Sequence, residues 1–332
     1  MKEQLALYDS MEKILTKLDI VVAPGPWDSE LWRRAFEAKA DGRKVRMWPV
    51  DGPHLGDDPY VVCSWKADPQ VFEQPTPPTA VFSLGAGVDH LRVLEQRPEI
   101  PVSRIIDPDL TMRMVEYVTF SVLYLHRKIR AYEASQARQE WAPLVQPAAS
   151  GVRVGIMGVG VLGKACGLLL QRIGFKVAGW ARTTPATYDF PMFAGQEGLP
   201  AFLERTDILV SLLPNTASTE GLIGRSIFES LSRSGNLEGP FFVNGGRGEV
   251  VRQHDLIDAL RDGTLAGAVL DVFDSEPLAR DSPLWSMPNV LITPHVAADS
   301  DPDVVVTQIL EDVQRIESGQ PLESLVDLAR GY

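Results

Sequence analysis

Cysteine is scarce in this chain: Cys63 and Cys166 are the only two among 332 residues. They fit no metal-ligand spacing and could close at most one bridge. That excludes a disulfide framework and favours reduced thiols in a cytoplasmic protein. Histidine is also sparse, at five, and no pair stands at ligand spacing, so no metal site is expected. His54 sits in a Gly/Pro loop, His126 on an edge helix and His254 near a helix start, which leaves His90 and His295 with more to say. Positive charge is in short supply, with a net charge of -12. This argues against nucleic-acid and anionic-membrane partners, both of which need a basic face. A few local arginines can still hold an anionic substrate. No apolar run approaches the ~20 residues of a membrane span. Residues 1–20, MKEQLALYDSMEKILTKLDI, are charged throughout and read as an amphipathic helix over 1–18 rather than a signal peptide. Short repeats and low-complexity tracts are missing too, and QPTPPT (74–79) reads as a loop, not a domain linker.

What the chain has is alternation. Its 45% apolar and 23% charged residues suit a soluble globular protein, and its length suits about two domains of ~100–200 residues. The runs DIVVAP (19–24), KVRMWP (44–49), YVVCSW (60–65) and AVFSLG (80–85) read as buried parallel strands, with connectors at 28–39 and roughly 69–74. A second series begins at 152: VRVGIMG, KVAGWA, DILVSLLP, GPFFVNGG, GAVLDVF and VLITP. Gly or Pro closes most of these runs. The pattern predicts two doubly wound α/β units, over roughly 1–110 and 150–295. Apolar residues at 115, 118, 122, 125 and 129 predict a helix over Met112–Ala134. Asp301 before Pro302 opens another over Ser300–Ser318, ended by Gly319 and Pro321. We place the crossings between the units on or near these helices. One domain then covers 1–115 with 299–332, and the other 116–298.

VRVGIMGVGVLGKACGLLLQRIG carries Gly158, Gly160 and Gly163 in G-x-G-x-x-G spacing. The match has weight because it follows a strand-like run, Val152–Met157, and opens a helix-like one, Val161–Ile173. Gly158 permits the tight turn, Gly160 lets the backbone approach a pyrophosphate, and Gly163 lets helix and strand pack closely. The phosphates would lie at the helix N-terminus, where free N–H groups favour anions. In an NAD site the next strand, Lys176–Trp180, ends in an acid that hydrogen-bonds the ribose 2′-OH. Here it runs into Ala181, Arg182, Thr183 and Thr184. An arginine fork with two hydroxyls suits a 2′-phosphate, so NADPH is expected in preference to NADH.

Charged groups stand at three later strand ends. Arg247 follows Phe241–Asn244, Asp271 and Glu276 follow Ala268–Leu270, and His295 follows Val290–Thr293. Ligands of open parallel sheets bind outside the carboxyl ends of the strands, where these segments would converge. The motifs are, in order, SLGAGVDHL (83–91), MVEYV (114–118), GVGVLG (158–163), LLPNTASTEGLI (212–223), NGGRGEVV (244–251), LDVFDSEPL (270–278) and TPHVA (293–297). As a set they resemble the D-isomer-specific 2-hydroxyacid dehydrogenases, over most of residues 60–300. Ala181, Arg182 and Trp65 bring the resemblance nearest to the subgroup of glyoxylate/hydroxypyruvate reductases.

The resemblance implies a Rossmann-type cofactor domain, a flavodoxin-like substrate domain and a cleft between them. It implies reduction of a small 2-keto acid by hydride transfer from NADPH. Arg247 would anchor the substrate carboxylate, His295 would give the proton, and Glu276 would orient and charge-stabilise His295. Gly85, Ala86 and Gly87 would hold the carboxylate by backbone N–H groups, and Trp65 would line a small pocket. Asp271 would bind the nicotinamide carboxamide. Val159, Val161, Leu162, Leu213, Pro214, Asn244, Gly245 and Gly246 would also touch the cofactor. Cys166 is expected to pack, and so is Trp141, with a dimer contact or a pocket rim as its alternatives. A homodimer formed through the cofactor domain, and hinges near 110–120 and 295–300, also follow from the resemblance alone. Two rivals share the fold: an NAD-dependent dehydrogenase for D-lactate or a phosphorylated hydroxy acid, which Ala181 and Arg182 disfavour, and a nicotinamide-sensing scaffold. The chain lacks the disordered tails or basic patch that would serve recruitment by a scaffold.

Overall fold

The computed structural model describes residues 17–52, 58–183 and 189–328. Thr184, His54 and nearly all of the helix expected over 1–18 lie outside the described residues. The chain divides into two compact units, Met1–Asp109 with Ser300–Tyr332, and Leu110–Asp299.

In the first unit β1 (Asp19–Ala23), β2 (Val45–Met47), β3 (Tyr60–Ser64), β4 (Ala80–Ser83) and β5 (Val102–Ser103) form a sheet of order β2-β1-β3-β4-β5, parallel throughout. Side chains alternate across it, as the period of two requires. Ile20, Val22, Val61 and Cys63 face a core built with Trp32, Phe36, Val306 and Ile309. Val21, Ala23, Tyr60 and Val62 face another, built with Val71, Phe72 and Leu91. Trp32 and Phe36 come from the helix Ser29–Lys39, whose first turn Asp28 caps by accepting from the Glu30 and Leu31 amides. Val306 and Ile309 come from the helix Pro302–Glu317, capped in the same way by Asp301. The strand order reverses between β1 and β3. The helix after β1 covers one face and the short 3-10 turn Pro69–Phe72 after β3 covers the other. Loops parting in this way open a crevice at the carboxyl edge of a parallel sheet.

The second unit holds β6 (Arg153–Met157), β7 (Lys176–Ala181), β8 (Met192–Ala194), β9 (Ile208–Ser211), β10 (Phe241–Asn244), β11 (Gly267–Leu270) and β12 (Val290–Ile292), in the order β12-β11-β10-β9-β6-β7-β8 and again all parallel. This is a doubly wound sheet whose order reverses beside β6. Phe242 and Leu209 face one core and Val243, Val210 and Ile156 the other.

The structure departs from the sequence reading in three places. The helix expected over Met112–Ala134 begins earlier, at Pro108, where Asp107 accepts from the Asp109 amide. It stops at His126, because Lys128 takes a left-handed conformation (φ 56°), and a second helix runs over Ile129–Ala137. Strands β5 and β8, two and three residues long, were not legible, since neither lies in a longer apolar run. Trp141, expected to pack, is 98% exposed.

Candidate functional site

The turn from β6 into the helix Val161–Ile173 shows why three glycines recur there. Gly158 has φ +93°, and a Cβ on it would lie 2.6 Å from the Leu212 carbonyl oxygen. A Cβ on Gly163 would lie 2.2 Å from the carbonyl oxygen of Gly158. Both glycines are required by packing inside the chain. Gly160 differs: a Cβ there would meet nothing within 4 Å. No described part of the protein requires glycine at 160, whereas close approach of a pyrophosphate does. Val159, Gly160, Val161 and Leu162 lie at the start of this helix, the end whose dipole favours anions. Cys166, further along, is fully buried, and burial pushes its thiol up to about 12.

Strand β7 ends at Ala181, followed by Arg182 and Thr183, both exposed. The strand end thus offers a guanidinium and a hydroxyl where a ribose diol would call for a carboxylate. After β9, Leu213 is buried, and the Pro214 carbonyl accepts from Thr219 Oγ1 at 2.6 Å. After β10, the Gly245 amide donates to Ser211 O at 3.2 Å. Buried Asn244 donates from Nδ2 to Arg247 O at 3.1 Å and accepts from the Gly246 amide at 3.3 Å. This turn presents Arg247, whose Nη1 donates to Gly246 O at 3.0 Å. Beside it a Cβ on Gly248 would fall 1.9 Å from Phe273 C and O, so the loops after β10 and β11 lie against each other.

The loops after β11 and β12 bring Glu276 to His295. Glu276 Oε1 accepts from the Phe273 amide at 3.2 Å, and its Oε2 lies 2.8 Å from His295 Nδ1. A carboxylate at Nδ1 fixes the ring orientation and leaves Nε2 as the nitrogen that can exchange a proton. His295 itself sits at φ 56°, an uncommon conformation for a residue with a side chain. What holds it there is Asp271. The Asp271 carbonyl accepts from the His295 amide at 2.8 Å. Its Oδ1 accepts from Thr293 Oγ1 at 2.6 Å and the Val296 amide at 2.9 Å, and its Oδ2 from the Ala297 amide at 2.9 Å. Asp271 is 1% exposed, and through these bonds it braces the histidine loop.

Tyr117, missed in the sequence, completes this brace. Its hydroxyl lies 2.8 Å from Thr293 Oγ1, and burial holds its pKa well above the ordinary phenol value. Its only signal was the MVEYV motif.

The remaining expected residues, Trp65, Gly85, Ala86 and Gly87, lie in the first unit at the ends of β3 and β4. Ser83 ties the glycine turn: its hydroxyl donates to Gly87 O at 2.7 Å and accepts from the Gly85 amide at 3.3 Å. Gly85 therefore spends its N–H inside the turn. Trp65 is buried, at 7% exposure, and its ring lies against His90 with centroids 4.8 Å apart.

Comparison with known proteins places the chain in a family. Residues 119–297 match the family model for the D-isomer specific 2-hydroxyacid dehydrogenase NAD binding domain. A glyoxylate/hydroxypyruvate reductase A of Klebsiella pneumoniae (strain 342) is 37% identical over 321 residues, 95% of this chain and 100% of that one. The crystal structure of an NADPH-dependent glyoxylate/hydroxypyruvate reductase from Sinorhizobium meliloti with NADP and sulfate superposes with a TM-score of 0.88 at 41% identity, covering 95% of this chain and 100% of the other. A probable 2-hydroxyacid dehydrogenase from Rhizobium etli CFN 42 with NADP, HEPES and L(+)-tartaric acid gives 0.89 at 37% identity, covering 96% and 100%. No described helix is long and apolar enough to cross a membrane.

Proposed function

Because this chain belongs to the D-isomer specific 2-hydroxyacid dehydrogenase family, we propose that it reduces a small 2-keto acid, of the size of glyoxylate or hydroxypyruvate, with NADPH. The observation that carries this reading is the Glu276–His295 contact at 2.8 Å, on the same strand edge as Arg247. Arg247 pairs its planar fork with the substrate carboxylate and fixes which carbon presents its carbonyl. Bound NADPH supplies the hydride to that carbon. His295 gives the proton on Nε2 to the oxygen, so that a neutral hydroxyl leaves and no alkoxide persists. Glu276 steadies the imidazolium before the transfer and keeps the ring turned toward the substrate afterwards. Within the first unit, the Ala86 and Gly87 amides are suited to a carboxylate, and the Trp65 ring would limit the length of the acid.

On the cofactor side, the amides following Gly158 hold the pyrophosphate, and Arg182 with Thr183 and Thr184 holds the 2′-phosphate. Leu213, Pro214, Asn244, Gly245 and Gly246 would also hold the cofactor, and Asp271 its carboxamide. The relatives named as NADPH-dependent or holding NADP support this choice.

The test is consumption of NADPH with glyoxylate and with hydroxypyruvate, for wild type and His295→Gln. Removing a general acid slows such reactions by roughly 10²–10⁴-fold. The expected result is turnover by wild type and a fall of that order in kcat for the variant, with NADPH still bound. Equal rates for the two proteins would remove His295 from the chemistry.

Two further proposals complete the reading. The protein acts as a homodimer through its second unit, where Trp141 and Val145 are 98% and 89% exposed. It works in the reducing cytoplasm, where buried Cys63 and Cys166 stay as thiols.

A further inference from the structure

We propose that Trp27, on the turn after β1, positions the Trp65 ring and thereby sets how long a 2-keto acid the first unit accepts. The inference rests on the keto-acid reductase reading and adds to it a residue outside every motif that led there.

Three tryptophans form one stack. Trp32 is 3% exposed, rooted in the core by the helix Ser29–Lys39. Trp27 lies over it with ring centroids 5.6 Å apart and an interplanar angle of 10°. Trp65 lies over Trp27 at 4.7 Å and 13°. Trp27 is therefore the middle slab, and Trp65 takes its place from a helix core through Trp27. The backbone reinforces the arrangement. The Trp65 amide donates to Ala23 O at 3.0 Å. Gly25 has φ +58°, and a Cβ on it would lie 2.2 Å from the Trp65 carbonyl oxygen, so the turn 24–27 rests directly on Trp65.

The Trp65 ring has further neighbours. A Cβ on Gly85 would lie 2.7 Å from Trp65 Cζ3, and the His90 ring stands 4.8 Å away. The ring is thus bounded by the glycine turn, by His90 and by Trp27, and of these Trp27 is the one stacked on its face. Aromatic faces packed in this way resist sliding because the rings are rigid and their contacts are many.

Location gives the stack its consequence. Trp27 and Trp65 follow β1 and β3, the two neighbouring strands between which the order of this sheet reverses. Ligands of open parallel sheets bind at that point. The ring also touches Gly85, the first residue of the turn proposed to hold the substrate carboxylate, so moving the ring moves the wall beside the carboxylate. A wall of rigid rings excludes added methylenes, and a pocket that gains a methylene's space typically changes discrimination by roughly 10-fold or more.

The experiment uses the full chain with Trp27→Leu and Trp27→Phe. Consumption of NADPH is measured with glyoxylate, 2-ketobutyrate and 2-ketohexanoate. For Trp27→Leu the ratio of kcat/KM for 2-ketohexanoate to that for glyoxylate is expected to rise about 10-fold. The change appears in KM for the acids while KM for NADPH stays put. Trp27→Phe, which keeps a stacking ring, restores most of the wild-type ratio. The near-ultraviolet circular dichroism band of the coupled indoles falls in Trp27→Leu. If Trp27→Leu does not fold, Trp27→Phe carries the test with a smaller rise in the same ratio. A wild type active on glyoxylate whose variants keep the wild-type acid ratio overturns the inference and leaves the reductase reading intact. A wild type inactive on every keto acid overturns both.

Discussion

Gly160 and Gly163 look alike in the sequence and differ in what surrounds them. Gly163→Ala forces a Cβ to 2.2 Å from a backbone oxygen, an overpacking that costs about 1–3 kcal/mol. It should lower Tm and weaken NADPH binding together. Gly160→Ala meets no protein atom within 4 Å, so Tm should stay at the wild-type value while NADPH affinity falls roughly 10-fold, ~1.4 kcal/mol. Thermal melts with and without NADPH check both. Wild-type affinity in Gly160→Ala would mean that the pyrophosphate does not pass over this turn. The motif was legible because its spacing is fixed by backbone approach. The brace that Asp271 gives the histidine loop was not, because its partners Thr293, Val296 and Ala297 lie 22 to 26 residues further on. Tyr117 and Trp27 were hidden for a related reason: their partners are 176 residues and 38 residues away in sequence.

The helix Pro108–His126 shows what periodicity reveals and what it misses. Its apolar positions were legible, and its end was not, because nothing local in HRKI announces a left-handed Lys128. His126 closes this helix, 4% exposed, with its ring edge-on to Phe175 at 5.1 Å. Among the described residues its Nδ1 has no hydrogen-bond partner. Burial, and secondarily the Arg127 cation, hold its pKa below the ordinary 6.5. The unfolded chain therefore binds a proton at a higher pH than the folded one. The stability tied to neutral His126 is complete above about pH 6.5 and is lost as pH falls through the lowered folded value. Tm should decline below pH 6.5, and His126→Leu should flatten that decline. Parallel melts between about pH 5 and 7.5 check this, and identical slopes for the two proteins would contradict it.

The two sheets were legible as wholes because buried parallel strands are continuous apolar runs with Gly or Pro at their ends. The short edge strand Met192–Ala194 lacks such a run, and all three of its residues are half-buried. The exposed Trp141 and Val145 are the residues we propose for pairing of two copies. Sedimentation of wild type beside a Trp141→Ser, Val145→Ser variant should give a dimer for the first and a lighter species for the second. A wild-type monomer would contradict the proposed pairing.

The central claim is that this dinucleotide fold, with Arg182 where a carboxylate would select NAD, is an NADPH-dependent keto-acid reductase. The most direct measurement is kcat/KM for NADPH and for NADH, in parallel, with glyoxylate as acceptor, for wild type and Arg182→Ala. A preference for NADPH that shrinks by about 10-fold or more in Arg182→Ala is the predicted result, since a charge-assisted phosphate contact contributes ~1.5–3 kcal/mol. Equal use of the two cofactors by wild type, or a preference that survives the loss of Arg182, would contradict it.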